Sequence, residues 1–183
     1  MNKKYLIIKG SGRENGYTNM LCNELVDLLE GDEVEIFDTY SANIIPCNGC
    51  DYCSCSGVCI NRDLDEFYKS FEECDTVIFL SPVYNGSFSA PMKSLIDRFQ
   101  VYYTSFYENN KTQPIKKKRT AYLIGAAGRD GTASFEYMEN QLKCAFTILN
   151  VELKGSFLCS HTDTQPNFES VSQQIKRSLS GND

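Results

Sequence analysis

The sequence lacks three features that would place it in large functional classes: an excess of basic charge, a membrane-spanning hydrophobic run and a recognisable signal peptide. Its 24 acidic residues outnumber the 18 basic ones, and the formal net charge is −6. Proteins that bind nucleic acid instead neutralise phosphates with clustered lysine and arginine. The short basic run at residues 116–119 is typical of a solvated loop beside a strand. We therefore expect no nucleic-acid partner.

The apolar run near the start, residues 5–8, is too short for the core of a signal peptide. No run approaches the roughly 20 residues that span a bilayer. These absences predict a cytoplasmic protein without a membrane partner. In that reducing compartment its nine cysteines are expected to be thiols or ligands rather than structural disulfides. The single histidine, His161, follows Cys159, and one such pair is a weak signal of a metal site.

Short apolar runs mark the strands. Residues 5–8, 76–80 and 121–124 are continuous apolar runs, which are typical of strands covered on both faces of a parallel sheet. Residues 33–37 and 151–153 alternate between polar and apolar, as strands nearer a sheet edge do. Between these strands, apolar residues recur at helical spacing. The alternation predicts an α/β fold, with a five-stranded parallel sheet in the order 2-1-3-4-5 and helices on both faces.

The predicted domain covers residues 1–183 and carries a cysteine-rich insertion over residues 46–60. A short helix after this insertion is expected to begin at Asp63, whose carboxylate would cap it while Glu66 completes a capping box. In the predicted strand order, ligands bind beyond the carboxyl ends of the strands, beside the switch point between strands 1 and 3. The loops after strands 1, 3 and 4 are therefore the ones in which to look for a binding site.

The first of these loops, residues 10–19, joins glycines and hydroxyls to a helix start, a combination that suits a phosphate group. Its spacing excludes common nucleotide-binding loops. Five residues separate Gly10 from Gly16, and Tyr17 stands in place of the lysine of a Walker A motif. Gly12 and Gly16 are too far apart for the dinucleotide pattern G-x-G-x-x-G. The pattern of low-molecular-weight phosphatases, cysteine followed by five residues and arginine, does not occur.

The loop after strand 3, residues 81–93, offers what a flat ring system such as an isoalloxazine needs. Tyr84 can form an aromatic wall, and Asn85 with Gly86 can supply polar contacts. The loop after strand 4, residues 125–131, is rich in glycine, so its backbone can approach such a ring closely. With the first loop, these two segments complete one predicted site.

Two of these segments resemble the NAD(P)H-dependent FMN reductases, a flavodoxin-like family. Residues 10–18 match the pattern G-S-x-R-x-x-G-x-T, and residues 82–98 match P-V-Y-x-G-S-x-S-x-x-M-K-x-x-x-D-R. The resemblance extends over residues 4–160, and it implies a flavodoxin-like three-layer fold with non-covalently bound FMN. It assigns the phosphate to Ser11, Arg13, Thr18 and Asn19, with Tyr17 beside them, and the ring to Pro82, Val83, Tyr84, Asn85, Gly86, Ala126, Ala127 and Gly128.

A cluster of cysteines follows strand 2. Cys47, Cys50, Cys53 and Cys59 have the spacing C-x2-C-x2-C-x5-C, with Cys55 as an extra member. Two-residue gaps are typical of cysteines that wrap a 4Fe–4S cluster. The spacing is similar to that of the iron–sulfur flavoproteins, relatives in which such a cluster passes electrons to FMN. The residues leave two alternatives open, namely zinc held by thiolates and thiols that are free or reversibly oxidised.

The resemblance implies an FMN-dependent oxidoreductase that takes electrons from NADH or NADPH and passes them to a small-molecule or redox-protein acceptor, with or without the cluster. No catalytic acid or base is expected, because the cofactor carries the chemistry. Two other functions fit the sequence: an electron carrier that works with ferredoxin, and a zinc-binding module without flavin. Tyr102, Tyr103, Phe106 and Tyr107 extend the helix after strand 3, and they could belong to the core, form a lid over the flavin or make a dimer contact. Because members of the family commonly dimerise, the resemblance favours the dimer contact and implies a homodimer or higher homo-oligomer.

Overall fold

The computed structural model describes residues 2–108 and 112–180, and within these ranges the chain forms five strands and seven helices. In chain order they are β1 (Lys4–Lys9), α1 (Tyr17–Leu28), β2 (Glu33–Asp38), α2 (Tyr52–Ser56), α3 (Asp65–Glu73), β3 (Thr76–Pro82), α4 (Ala90–Arg98), α5 (Gln100–Glu108), β4 (Arg119–Ala126), α6 (Thr132–Leu149), β5 (Val151–Cys159) and α7 (Phe168–Leu179). The ends of the predicted domain, residue 1 and residues 181–183, lie outside the described residues. Among the described helices, none combines the length and the apolarity needed to cross a membrane.

The strands form one parallel sheet in the order β2-β1-β3-β4-β5, which confirms the predicted fold class. β3 is buried along its whole length, because helices cover both faces of the sheet. The edge strands β2 and β5 are partly exposed, which explains the polar residues in their sequences. Lys9 pairs with both Asp38 and Leu80, so β1 and its neighbours finish close together. The loops that follow therefore leave the sheet at one edge.

A hydrophobic core lies on each face of the sheet. Phe71, Phe79 and Leu142 belong to the core under α3 to α6. Leu25 of α1 and Ile175 of α7 belong to the other. Removing a side chain of this size from water stabilises the fold by about 1.5–3 kcal/mol. The two cores hold the strands rigidly, and this rigidity extends to the points where the loops begin.

The predicted cap of α3 is wrong. This helix begins at Asp65 and has Leu64 at its N-cap position, without a side-chain cap. The Asp63 carboxylate instead accepts a hydrogen bond from the Ile45 N–H at 3.0 Å and lies 3.0 Å from the Arg98 guanidinium. A buried guanidinium needs an anion, and this long-range demand outweighs the local capping preference.

The aromatic run, residues 102–107, lies on the separate helix α5 rather than on an extension of α4. Tyr102 is 4% exposed, and its hydroxyl donates to a Glu72 carboxylate oxygen at 2.9 Å. Because Tyr102 is part of the core, it is not available for a dimer contact. Tyr103 and Tyr107 are exposed, with ring centroids 4.6 Å apart. The oligomer prediction therefore concerns these two side chains.

Candidate functional site

The loop between β1 and α1 is held against the end of β3. The Gly10 N–H donates to the Leu80 carbonyl at 2.7 Å. A Cβ at Gly10 would lie 3.0 Å from the Met92 side chain and 3.2 Å from that carbonyl, so glycine allows this close approach. Beyond it, Ser11 is 2% exposed, and Thr18 in the first turn of α1 is 3% exposed. The loop thus places two hydroxyls beside a helix N-terminus.

Arg13 and Asn19 take different parts in this loop. The Arg13 N–H donates to Ser11 Oγ at 3.3 Å, and its guanidinium lies 6.0 Å from the centroid of the Tyr84 ring. The Asn19 amide instead turns back and donates to the Glu14 carbonyl at 3.0 Å. Asn19 Oδ1 is buried and has no hydrogen-bond partner among the described residues. Asn19 therefore stabilises the loop through this hydrogen bond and does not line the cleft described below.

A tight turn follows β3. The N–H of Tyr84 donates to the Ser87 carbonyl at 2.9 Å, and the Ser87 N–H donates back at 3.0 Å. Asn85 and Gly86 between them have φ of 48° and 79°. A turn with positive φ at both central residues favours the Asn-Gly pair, since asparagine and glycine tolerate the left-handed region. The turn places the Tyr84 ring in the wall of a cleft.

The loop after β5 pairs with the loop after β4. The Thr162 N–H donates to the Ala127 carbonyl at 3.0 Å, and the Asp163 N–H donates to the Gly128 carbonyl at 3.2 Å. A Cβ at Gly128 would collide with the Asp163 carboxylate, so the lack of a side chain leaves room for it. Thr162 and Asp163 are not among the predicted site residues. The strand order could have found their loop, because it places the end of β5 beside that of β4.

The three predicted loops line one cleft of about 550 Å³ at the carboxyl edge of the sheet. This volume is within the usual range for small-molecule sites, about 300–1,000 Å³. The predicted residues that line it are Ser11, Arg13, Tyr17, Thr18, Pro82, Val83, Tyr84, Ala126 and Gly128. Those that do not are Asn19, Asn85, Gly86 and Ala127, and residues not predicted but present are Asn15, Gly16, Thr162 and Asp163.

A second cavity is formed by residues 46–60, which we call the cysteine segment. Its backbone turns at Gly49, Asp51 and Gly57, with φ of 69°, 59° and 72°. The cysteines that line this cavity of about 420 Å³ are Cys47, Cys50, Cys53 and Cys59. Cys55 lies in the same segment but is not part of the lining. The fold thus selects four of the five clustered cysteines, and they are the four predicted as ligands.

The thiols of these four cysteines belong to the lining of this cavity. All nine cysteines are free, and among residues 2–108 and 112–180 no three His, Cys, Asp or Glu side chains stand close enough to hold a metal ion.

The buried cysteines elsewhere in the fold have raised pKa values. Burial raises the pKa of Cys159 to about 11 and also raises the pKa of Cys22 and Cys74, so these three stay protonated near neutral pH. Cys144 is exposed because it lies on the outer face of α6.

The sequence pattern of NADPH-dependent FMN reductases matches residues 3–165. The chain belongs to this family. It is 38% identical over 111 residues to an iron-sulfur flavoprotein of Methanocaldococcus jannaschii, a match that covers 59% of this chain and 58% of the relative. It is 40% identical over 98 residues to an iron-sulfur flavoprotein of Archaeoglobus fulgidus, covering 52% of this chain and 44% of the relative. The chain thus spans about half the length of the curated relatives it matches.

Among solved structures, the chain is similar to the NAD(P)H:quinone oxidoreductase from Methanothermobacter marburgensis. The TM-score is 0.73 at 18% identity, and the match covers 97% of this chain and 94% of that chain. At this identity the likeness shows the fold alone, and it agrees with the flavodoxin-like architecture predicted from the sequence. Membership of the FMN reductase family confirms the resemblance found in residues 10–18 and 82–98.

Proposed function

We propose that this chain binds FMN non-covalently in the cleft and acts as an NAD(P)H-dependent oxidoreductase. The observation that carries the proposal is the convergence on one cleft of three loops that the sequence identifies separately. Bound FMN would accept two electrons from a reduced nicotinamide and pass them to an acceptor. The family to which the chain belongs supports both the cofactor and the reaction class.

The phosphate of FMN fits the part of the cleft beside α1. The hydroxyls of Ser11 and Thr18 and the first N–H groups of α1 are hydrogen-bond donors there, and a helix N-terminus favours an anion. Arg13 lines the same cleft and adds a positive charge. A hydrogen bond to a charged group contributes about 1.5–3 kcal/mol. Asn19 keeps the loop in shape through its bond to Glu14.

The ring of FMN fits the part of the cleft beside β3 and β4. Tyr84 offers an aromatic wall, and Pro82 and Ala126 are paired across the ends of the two strands. Gly128 leaves its backbone open to close approach. The Asp163 carboxylate adds an acceptor that could bind an N–H of the flavin. Arg13 and Asp163 thus give the cleft one charge of each sign.

We also propose that the four thiols that line the second cavity hold a 4Fe–4S cluster. Thiolates are the usual ligands of such clusters, so the residues fit the group in type and number. The two curated relatives described above are named iron-sulfur flavoproteins, which supports the same assignment. The ligands proposed are Cys47, Cys50, Cys53 and Cys59. A bound cluster would supply one-electron transfer.

Redox-active thiols are the second candidate for this cavity. The observation that favours them is that Cys47 and Cys50 are exposed to solvent. Zinc would use the same four thiolates. Metal content separates the three assignments.

The test of both proposals is anaerobic purification of the full chain, followed by addition of FMN, an absorption spectrum and analysis of iron, sulfide and zinc. Flavin bands that stay with the protein, and that weaken in the Thr18→Val variant but not in Ser170→Ala on the exposed face of α7, support the FMN site. A chain that binds no FMN overturns it. Iron with equal sulfide supports the cluster, whereas zinc or the absence of metal rejects it.

The electron donor is found by mixing the FMN-loaded chain with NADH, with NADPH and with reduced ferredoxin. Turnover with a nicotinamide supports the oxidoreductase. Flavin reduction by ferredoxin alone would favour the electron carrier instead.

We expect the chain to be a homo-oligomer, a proposal supported by the exposed aromatic pair Tyr103 and Tyr107. Sedimentation of the Tyr103→Ser and Tyr107→Ser variants tests it.

A further inference from the structure

Arg98 is buried in an unusual place. It ends α4 and is 1% exposed, yet it lines the cavity of the exposed cysteine segment. A buried guanidinium is unfavourable unless its N–H groups and its charge are satisfied. Its partners therefore indicate why the fold keeps a charged side chain at this position.

The guanidinium of Arg98 binds the chain on both sides of the cysteine segment. One terminal nitrogen donates to the Ile45 carbonyl at 2.6 Å, and the other donates to the Asn61 carbonyl at 2.9 Å. Ile45 comes just before the segment and Asn61 just after it. A single side chain thus fastens the two ends of the segment together.

Asp63 completes the arrangement. Its carboxylate oxygens lie 3.0 Å and 3.3 Å from the two terminal nitrogens of Arg98, and one of them accepts the Ile45 N–H at 3.0 Å. Burial alone would raise the pKa of Asp63, but the hydrogen bonds from Arg98 and Ile45 hold it below its ordinary value. The ion pair is therefore intact at neutral pH.

One donor of the guanidinium is left over. Nε of Arg98 is buried and has no hydrogen-bond partner within residues 2–108 and 112–180. A buried donor without a partner is uncommon in native proteins. Arg98 also forms part of the cavity lining and interacts electrostatically with Cys59, so its charge belongs to the surroundings of the four thiols.

We propose that Arg98 is the positioning residue of the cysteine cavity. It closes the ends of the cysteine segment so that the four thiols face one space, and its positive charge favours the negative charge of a metal held by four thiolates. The first role stands on its contacts alone, and the second rests on the proposed metal binding by the cysteines. Only the planar fork of arginine can reach two carbonyls and a carboxylate at once, so lysine would replace the charge but not the closure.

The first experiment measures the closure without any metal. Hydrogen exchange is followed in the FMN-containing full chain with reduced cysteines, for the Arg98→Lys, Arg98→Met and Asp63→Asn variants. The matched control is Arg62→Lys, which changes an exposed arginine paired with Asp65 beside the same segment. We expect exchange within residues 45–61 to become about tenfold faster in both Arg98 variants, and less so in Asp63→Asn. Unchanged exchange there in Arg98→Met would overturn the closure.

The second experiment tests whether the positive charge of Arg98 strengthens metal binding by the four thiols. Co²⁺ is titrated into the reduced chain, and the sulfur-to-cobalt absorption reports how many thiolates bind. We expect affinity to fall by about 10- to 100-fold in Arg98→Met, and less in Arg98→Lys. Equal affinity in Arg98→Lys and Arg98→Met would overturn the role of the charge, because only lysine retains it.

Failure of the proposal and failure of the metal site are distinguishable. If the unmodified chain gives no four-thiolate absorption with Co²⁺, the role of the charge falls, while iron and sulfide analysis still decides the proposed 4Fe–4S cluster. The exchange data still decide the closure in that case. FMN binding is measured in every variant, and a normal value shows that the sheet and the cleft are intact. If Arg98→Met does not fold, Asp63→Asn tests the same closure, since it keeps the arginine and weakens its anchoring.

Discussion

The cleft and the cysteine cavity are built in different ways. The cleft is assembled from the ends of β1, β3 and β4, whose loops hydrogen-bond to a neighbouring strand or loop. The cysteine cavity is formed by one segment that leaves the edge strand β2, and most residues of this segment are exposed. The cleft is therefore held by the sheet, whereas the cavity is held by the contacts with Arg98 and by the packing of α2 against α5.

This difference predicts how the two sites respond to change. A loop tied to the ends of buried strands can move only if the strands move. Distorting it therefore costs a free energy close to that of unfolding the whole domain. A segment that is mostly exposed can open more easily by itself, because fewer buried contacts oppose its opening. Substitutions in the cysteine segment should therefore leave FMN binding intact, and substitutions in the cleft should leave the thiols unchanged.

The largest effect is expected when one thiol of the cavity is removed. Cys53→Ser should lower metal affinity by about 100-fold, since a four-ligand site loses one of its bonds. The matched control is Cys55→Ser, two residues away but outside the cavity lining. Iron and sulfide after anaerobic reconstitution are measured beside FMN content. Equal loss of iron in both variants would show that the cavity does not select the ligands.

A smaller loss is expected at the phosphate end of the cleft. Arg13→Gln should weaken FMN binding by about 10- to 100-fold, because a charge-assisted hydrogen bond is lost. Arg129→Gln makes the same change at an exposed position that does not line the cleft. Fluorescence titration with FMN compares the two. Equal affinities would contradict the assignment of Arg13, and altered thiol reactivity would contradict the independence of the two sites.

The next effect in decreasing size is expected at the turn after β3. Gly86→Ala should lower the free energy of unfolding by about 1–2 kcal/mol, because a side chain at φ of 79° is strained. Ser87→Ala is the control, since its backbone pairs with Tyr84 without a positive φ. Urea unfolding gives the free energies, and FMN titration reports whether Tyr84 is displaced. Stability equal to that of Ser87→Ala would argue against the left-handed turn.

The smallest effect is expected on acidification of the cysteine segment. The Asp63 pKa lies below its ordinary value, so the stabilisation from its ionised form is complete above pH of about 4 and is lost as the pH falls through the lower folded pKa. The charged or titratable groups facing it are Arg98 and Tyr68, and burial raises the pKa of Tyr68 to about 12, so neither changes charge in this range. Relative to the intrinsic exchange rate at each pH, hydrogen exchange of residues 45–61 should therefore quicken as the pH falls below about 4.

The Asp63→Asn variant supplies the control for this acid response. It lacks the carboxylate, so its exchange in the cysteine segment should show a flatter pH dependence than that of the unmodified chain. Asp65→Asn changes an exposed neighbour that is paired with Arg62 and should leave the response unchanged. A response that is the same in all three proteins would assign the acid sensitivity to groups outside this ion pair.

The fold was largely predictable because its signals are local. Continuous apolar runs marked β1, β3 and β4, and the alternation of polar and apolar residues in β2 and β5 predicted their places at the edges. The loops that line the cleft follow from the strand order, since the carboxyl ends of parallel strands meet at one edge. Local signals failed at Asp63, whose sequence context suits a helix cap although its partner is Arg98.

The sites were predictable only to the level of loops and residue types. The pattern in residues 10–18 identified a phosphate loop, but it could not show that Asn19 turns away from the cleft towards Glu14. Asp163 joins the cleft through a bond to Gly128, and no local pattern links these two positions. Spacing set Cys55 apart from the other four cysteines, but it could not show that these four line one cavity.

By itself the sequence determined the order of strands and helices, the phosphate-binding character of the first loop and the grouping of the cysteines. These properties depend on side-chain periodicity and residue type within short stretches of chain. Only the tertiary structure decided which side chains share a cavity and which residue closes it. Arg98 is 53 positions from Ile45 and 37 positions from Asn61 along the sequence, yet it donates hydrogen bonds to the carbonyls of both. Contacts at such separations depend on how α4 packs on the sheet, and no short segment contains that information.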